Sequence, residues 1–320
     1  MRKEFRLLIS ICIFPVITFS QRTDTLVQKL DSLNRQTEQV GSQKNNISPG
    51  HYDRSTNLNV KTYFTLLGSD LKQGFTKPFH MTGKDWGKFA KWAVVLGGVA
   101  LVDEPVQRFS VRLLDNNNGL QNFADKVTQF GGAYEFYTLA GFGAYGIIFK
   151  SDKMKTTTLL ATQAYITGGA LESVLKFISG RTRPSYYDAG MEPEPKFLGP
   201  FSKIPKNGSG KNVYSSFPSG HTTVAFAAAT VFAKEYYDKP IVPIIAYSAA
   251  TLIGLSRIAE NVHWASDVFV GATLGYLAGR EVVNNYHRFM KLKQPKKGVV
   301  SFTMQPFYGK LLPGIVYNFK

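Results

Sequence analysis

Cysteine is almost missing: the chain of 320 residues holds one, Cys12. It sits inside an apolar run of the N-terminal stretch MRKEFRLLISICIFPVITFS, and Ile11 before it is too bulky for a lipoprotein-type cleavage site. That stretch is basic at Arg2, Lys3 and Arg6, apolar from Leu7 to Phe19 and small at Ser20. It predicts a secretory signal peptide over residues 1–20. The chain after residue 20 then has no cysteine, which excludes disulfides, a thiolate nucleophile and Cys-based metal sites. Histidine is also scarce, with five in all. His51, His80 and His287 are scattered and form no ligand cluster, so no metal and no other cofactor is expected. Acidic residues are few as well: 22 against 38 Lys and Arg, a net charge of +16. Residues 1–20 contain three basic residues and one acidic residue, so their removal would leave +14. Such an excess points to an acidic partner. Zinc-finger spacing, RNP-like aromatic runs and a basic zipper are all absent, so nucleic acid is not the expected one. An anionic membrane surface or a phosphorylated substrate remains.

Hydrophobic residues supply 44% of the chain, enough for a sizeable core. The pattern predicts four segments: the signal peptide over 1–20, a polar N-terminal arm and linker over 21–87, a helical domain over 88–290, and a basic tail over 291–320. In the arm, Leu26, Leu30 and Leu33 suit one short amphipathic helix, followed by the linker-like GSQKNNISPG. In GKDWGKFAKW, Trp86, Phe89 and Trp92 interleave with lysines, which suits either a membrane interface or a helix entrance. Six helical stretches are expected near 88–102, 132–149, 156–179, 220–237, 241–257 and 264–285, broken at LDNNNG, KSDK, GRTRP and YDKP. The fold class is therefore all-α, a six-helix antiparallel bundle. Strand-like alternation after Val299 around KLLPG predicts a short C-terminal β-hairpin, too little to close a barrel.

Three short stretches carry the chemistry. KFISGRTRP ends the third helix, with Gly180 as its C-cap, Pro184 blocking continuation, and Lys176, Arg181 and Arg183 adding charge. Glu172, four residues before Lys176, is spaced to pair with it on the same helix. SSFPSGHTTVAF places Ser219, Gly220 and His221 at the start of the fourth helix, where unpaired N–H groups and the helix dipole favour an anion. SRIAENVHWASD ends the fifth helix with Arg257 and opens the sixth with His263. Asp267 follows one turn later, spaced to hydrogen-bond one imidazole nitrogen and leave the other free. In an up-and-down bundle the end of helix three, the start of four, the end of five and the start of six share one face. The three stretches occupy those places.

Taken together, Lys176-x6-Arg183-Pro184, Pro218-Ser219-Gly220-His221 and Ser256-Arg257-x5-His263-x3-Asp267 resemble the three-part signature of the type 2 phosphatidate phosphatase superfamily. That group spans lipid phosphatases, bacterial class A acid phosphatases and vanadium haloperoxidases. The resemblance implies a bundle of the phosphatidate phosphatase/haloperoxidase type and metal-independent phosphoryl transfer from phosphomonoesters or pyrophosphates. His263 would be the nucleophile that becomes a phosphohistidine, His221 the general acid and base, and Asp267 the residue orienting His263. Lys176, Arg183, Arg257 and the Ser219–Gly220 backbone would hold the phosphoryl oxygens; Arg181 lies outside the signature and receives no catalytic role. The expected partner is a phosphorylated lipid or small organophosphate. A vanadate-dependent haloperoxidase and a non-catalytic phospholipid-binding envelope protein are the competing readings; the intact His221, His263 and Asp267 set argues against the second.

Placement is read from two signals that conflict. Lys150, Lys153, Lys155, Lys234, Lys239, Arg288, Lys291 and Lys293 all fall opposite the active face, as in a positive-inside pattern. A cleaved signal peptide would start the mature chain outside, and six spans from there would turn the active face inward. A periplasmic, membrane-associated domain removes the conflict. The alternative is an integral multi-pass protein with an uncleaved N-terminus and an extracytoplasmic active site.

Overall fold

The computed structural model describes residues 58–187, 192–200 and 216–293, and two backbone strands beyond them. The predicted signal peptide and the short amphipathic helix of the arm lie outside the described residues. From 58 to 293 the described residues form helices and loops alone, apart from a short pairing of Arg181 with Phe197. At the C-terminal end β1 (Val299–Phe307) runs antiparallel to β2 (Lys310–Asn318), with Val299 opposite Asn318 and Phe307 opposite Lys310.

Nine α-helices are described where the sequence predicted six. Each predicted helical stretch coincides with one: α2 (Gly83–Ala100), α5 (Ala133–Ile148), α6 (Asp152–Ser179), α7 (Gly220–Glu235), α8 (Ile241–Ala259) and α9 (Ala265–Lys293). The three additional helices are α1 (Val60–Thr76), α3 (Asp103–Asp115) and α4 (Asn118–Gln129). The first lies within the span read as arm and linker. The other two flank the LDNNNG break, where Asn117 caps α4 by accepting from the Leu120 N–H (3.0 Å). They are amphipathic and polar on average, so they lacked the Ala- and Gly-rich apolar composition that marked the rest. Elsewhere the caps follow local chemistry: Thr82 and Asp85 form a reciprocal capping box at α2, and the Ser151 side chain accepts from the Met154 N–H at α6.

Helix α7 is central and packs on α6, α8 and α9. Its buried face includes Ala227 and Val231, which meet Leu160, Ala161 and Ala164 of α6 and Val282 of α9 in one apolar cluster. The α7–α9 contact is closest because Gly271, Gly275 and Gly279 lie on one face of α9. A Cβ on Gly275 would collide with the Thr223 carbonyl and Ala227. Small residues at that spacing let two helix backbones approach. The close approach joins the starts of the two helices: the Ser219 N–H donates to the Asp267 carbonyl (3.0 Å).

Candidate active site

The three signature stretches converge on one face of the bundle, beginning where α6 stops. Gly180 adopts a left-handed backbone (φ 53°) and donates its N–H to the Lys176 carbonyl (3.1 Å). A Cβ there would strike the backbone of Gly199, so the turn requires glycine. The next residues are pinned at once. Thr182 donates its N–H to the Lys196 carbonyl (3.0 Å), and Ser216 donates its N–H to the Arg181 carbonyl (3.1 Å). At the end of α8, Asn261 takes the left-handed conformation that asparagine tolerates (φ 56°), and the N–H groups of Val262 and His263 return to the Arg257 carbonyl (3.2 and 3.3 Å). That return fixes His263 beside the other stretches.

The His263 ring is 2% exposed, and its Nδ1 lies 2.7 Å from the Ser216 carbonyl. A carbonyl only accepts, so Nδ1 carries the hydrogen and Nε2 keeps its lone pair. Burial pushes the imidazole down to about 4, with Asp267 acting in the opposite direction, so the free ring is neutral near pH 7. Asp267 does not orient His263 through the direct hydrogen bond that the spacing predicted: its Oδ2 stands 3.6 Å from Nδ1. That oxygen is already occupied, accepting from the Ser216 hydroxyl (2.5 Å) and the Trp264 N–H (2.8 Å). Asp267 therefore positions His263 through Ser216 and the 263–264 backbone while keeping its charge near the ring.

The other predicted residues gather around this pair. Lys176 forms an ion pair with Glu172, as their spacing allowed, and both reach Gly220 closely enough that a Cβ there would meet the Glu172 carboxylate. Lys176, Arg183, Arg257 and the His263 ring are all near enough to His221 to act on it electrostatically. The Arg183 guanidinium is held below its usual value by burial first and Arg257 second, with Asp267 and Glu172 acting the other way. Arg257 is buried, and its Nη1 donates to Thr128 Oγ1 (2.5 Å) and to the Glu260 carboxylate. Ser219 differs in part from expectation. Its N–H is committed to Asp267 and its hydroxyl accepts from Thr222 Oγ1 (2.8 Å), so the open helix-terminal donors begin at Gly220.

Two residues at the centre of this arrangement were not assigned from sequence. Arg181, 2% exposed, donates through Nη1 to Asp267 Oδ1 (2.6 Å) and Ser266 Oγ (2.7 Å), and through Nη2 to Asp103 Oδ2 (2.7 Å). Its guanidinium also lies over the Phe197 ring, 4.8 Å from the centroid. Asp103, 1% exposed at the start of α3, accepts in addition from the Ser266 N–H (2.8 Å) and hydroxyl (2.6 Å). A continuous buried chain thus runs from Asp103 through Arg181 to Asp267, and from there through Ser216 to His263. The available signal was Asp103-Glu104-Pro105, acidic residues and a proline as at a helix start, which marks the element but not its partner.

Two histidines, several cations and a helix N-terminus brought together form a set that can hold an anion such as phosphate. The sequence pattern of the PAP2 superfamily matches residues 157–291. The matched region contains all three stretches and is similar to the type 2 phosphatidate phosphatases. A lipid A 1-phosphatase of Porphyromonas gingivalis is 45% identical over 80 residues, 25% of this chain and 17% of that protein. A lipid A 1-phosphatase of Rhizobium johnstonii is 32% identical over 111 residues, 34% of this chain and 40% of that protein. The chain thus spans well under half the length of these relatives. The crystal structure of Aquifex aeolicus LpxE is 27% identical, with 57% of this chain and 95% of that chain covered and a TM-score of 0.42.

Proposed function

We propose that this protein is a phosphatase that releases phosphate from a phosphorylated lipid by way of a phosphohistidine. The observation that carries the proposal is the His263 ring, whose Nδ1 is held by the Ser216 carbonyl while Nε2 keeps its lone pair, with Lys176 and Arg183 near enough to act on the ring. In the first step Nε2 attacks phosphorus, the bond to the ester oxygen breaks, and His221, having taken up a proton beside the bound phosphate anion, gives that oxygen the proton. In the second step the now neutral His221 takes a proton from water, the oxygen attacks phosphorus, and the nitrogen–phosphorus bond breaks to return His263. The cations and the open N–H groups from Gly220 onward hold the phosphoryl oxygens as charge shifts between them. Asp267 stabilises the positive ring of the intermediate and keeps it aimed.

The apolar exterior supports a lipid setting. Val94 and Val95 of α2, Ile147 and Ile148 of α5, and Ile244 and Ile245 of α8 all lie more than half exposed. Helix α8 is long and apolar enough by length and composition to cross a membrane. The order of α2, α5, α6, α7, α8 and α9 alternates between the active face and the lysine-rich face. We therefore favour the integral placement over the peripheral one, with the lysine-rich face cytoplasmic and the site extracytoplasmic. The test of function is phosphate release by the full chain in detergent from a panel of phosphatidate, a polyprenyl pyrophosphate, lipid A phosphate and p-nitrophenyl phosphate, with His263→Ala as blank. Turnover should survive EDTA and be blocked by vanadate. Turnover lost in EDTA and restored by a divalent metal contradicts the mechanism.

A further inference from the structure

An apolar groove of about 550 Å³ lies between α5, α7 and α8, lined on α7 by Ala225, Ala228, Phe232 and Tyr236. That stripe starts one helical turn after His221 and spans twelve residues from Ala225 to Tyr236, so the groove runs about 16 Å along the helix. Its upper end adjoins the site directly, because a Cβ on Gly132 at the start of α5 would sit 3.1 Å from His221 Nε2. Glu135 enters the groove wall one turn further along α5, and Ala225 lines the same groove one turn after His221. It is 6% exposed, and neither carboxylate oxygen has a hydrogen-bond partner among the described residues. Thr138, the neighbouring polar residue of the wall, spends its hydroxyl on the Tyr134 carbonyl (2.8 Å). A carboxyl left unpartnered among apolar side chains is costly, and an occupant that supplies a hydrogen bond relieves that cost.

We propose that Glu135 reads the substrate just below its phosphate, accepting a hydrogen bond from a hydroxyl or amide N–H while a hydrocarbon chain of the same molecule lies in the groove. The inference rests on the phosphatase reading above and narrows its substrate to lipid phosphates with a hydrogen-bond donor close to the phosphate. A carboxyl accepts in either protonation state, so the assignment of donor to the lipid holds for both. The occupant is the substrate's own tail because the groove begins one helical turn from His221, whose ring meets the start of α5.

The test compares the full chain in detergent with Glu135→Leu, Glu135→Gln and Ala228→Phe on three substrates. p-Nitrophenyl phosphate has neither chain nor donor, dodecyl phosphate has only the chain, and dodecanoyl lysophosphatidate has the chain and a free hydroxyl. Wild-type kcat/KM should favour lysophosphatidate over dodecyl phosphate by about tenfold, the worth of one buried hydrogen bond. Glu135→Leu should erase that preference and leave p-nitrophenyl phosphate unchanged, whereas Glu135→Gln, which keeps an acceptor, should retain it. Ala228→Phe should depress both lipids and spare the aryl phosphate. A Glu135→Leu variant that loses all three activities equally, or keeps the wild-type preference, overturns the proposal. Equilibrium binding of the two lipids to His263→Ala measures the same preference without turnover. Absence of all hydrolysis would therefore count against the phosphatase reading, while the binding ratio with and without Glu135→Leu still decides the role of Glu135.

Discussion

Arg181 is the residue on which the site's internal order depends. It bridges two carboxylates, Asp103 and Asp267, that are 1% and 0% exposed and belong to different helices. Replacing it with Met would leave both without their cation in a buried setting. Breaking one buried pair costs about 3–5 kcal/mol. Arg181→Met should therefore lower the thermal unfolding temperature of the detergent-solubilised protein markedly, and activity on p-nitrophenyl phosphate should fall with it. An unchanged unfolding temperature would mean the chain from Asp103 to Asp267 holds nothing together. The sequence could name His221, His263 and Asp267 because their spacing repeats a known signature. It could not assign Arg181 or Asp103 a role, since their meaning comes from a contact across 78 positions. The direct His263–Asp267 hydrogen bond was expected from a one-turn spacing, but the Ser216 carbonyl competes for Nδ1 and is nearer.

At the scale of elements, the seam between α7 and α9 sets the separation of the groups to which catalysis is assigned in the proposed function. His221 starts one helix and Asp267 starts the other, and the glycine face of α9 lets the backbones meet where Ser219 donates to the Asp267 carbonyl. Gly275→Leu places a branched side chain against the Thr223 carbonyl and Ala227, two turns from the site. Overpacking of this kind costs about 1–3 kcal/mol and moves backbone. Helix content by circular dichroism should persist while kcat drops by about a hundredfold, since a displacement of roughly 1 Å is enough to misplace reacting groups. Full activity in Gly275→Leu would show that the seam does not fix the site. The six long helices were legible because Ala, Gly and aromatic residues recur between Gly and Pro breaks. Helices α3 and α4 were not, because a polar amphipathic helix beside an Asn-rich break reads as connection until its packing partner is known.

For the whole molecule, the integral placement proposed above puts a bilayer around the exposed apolar faces of α2, α5 and α8. Membranes carrying the protein should keep it through high salt and alkaline wash and release it only to detergent, as fractionation and immunoblotting will measure. Salt would screen a purely electrostatic attachment, so release by salt would support the peripheral placement instead. Sequence alone favoured that placement because a cleaved signal peptide and the lysine pattern conflict for a six-span chain. The structure displays apolar residues on outward faces, information that neither signal contains.

The most direct test of the central claim is to trap the phosphoenzyme with p-nitrophenyl phosphate labelled in its phosphate and locate the label. Wild-type protein should carry an acid-labile, base-stable nitrogen–phosphorus bond mapping to His263. His263→Ala should carry none, and His221→Ala should accumulate it, because the aryl leaving group needs no proton while the water of the second step needs a base. Label that persists in His263→Ala, or that maps to another residue, contradicts the account.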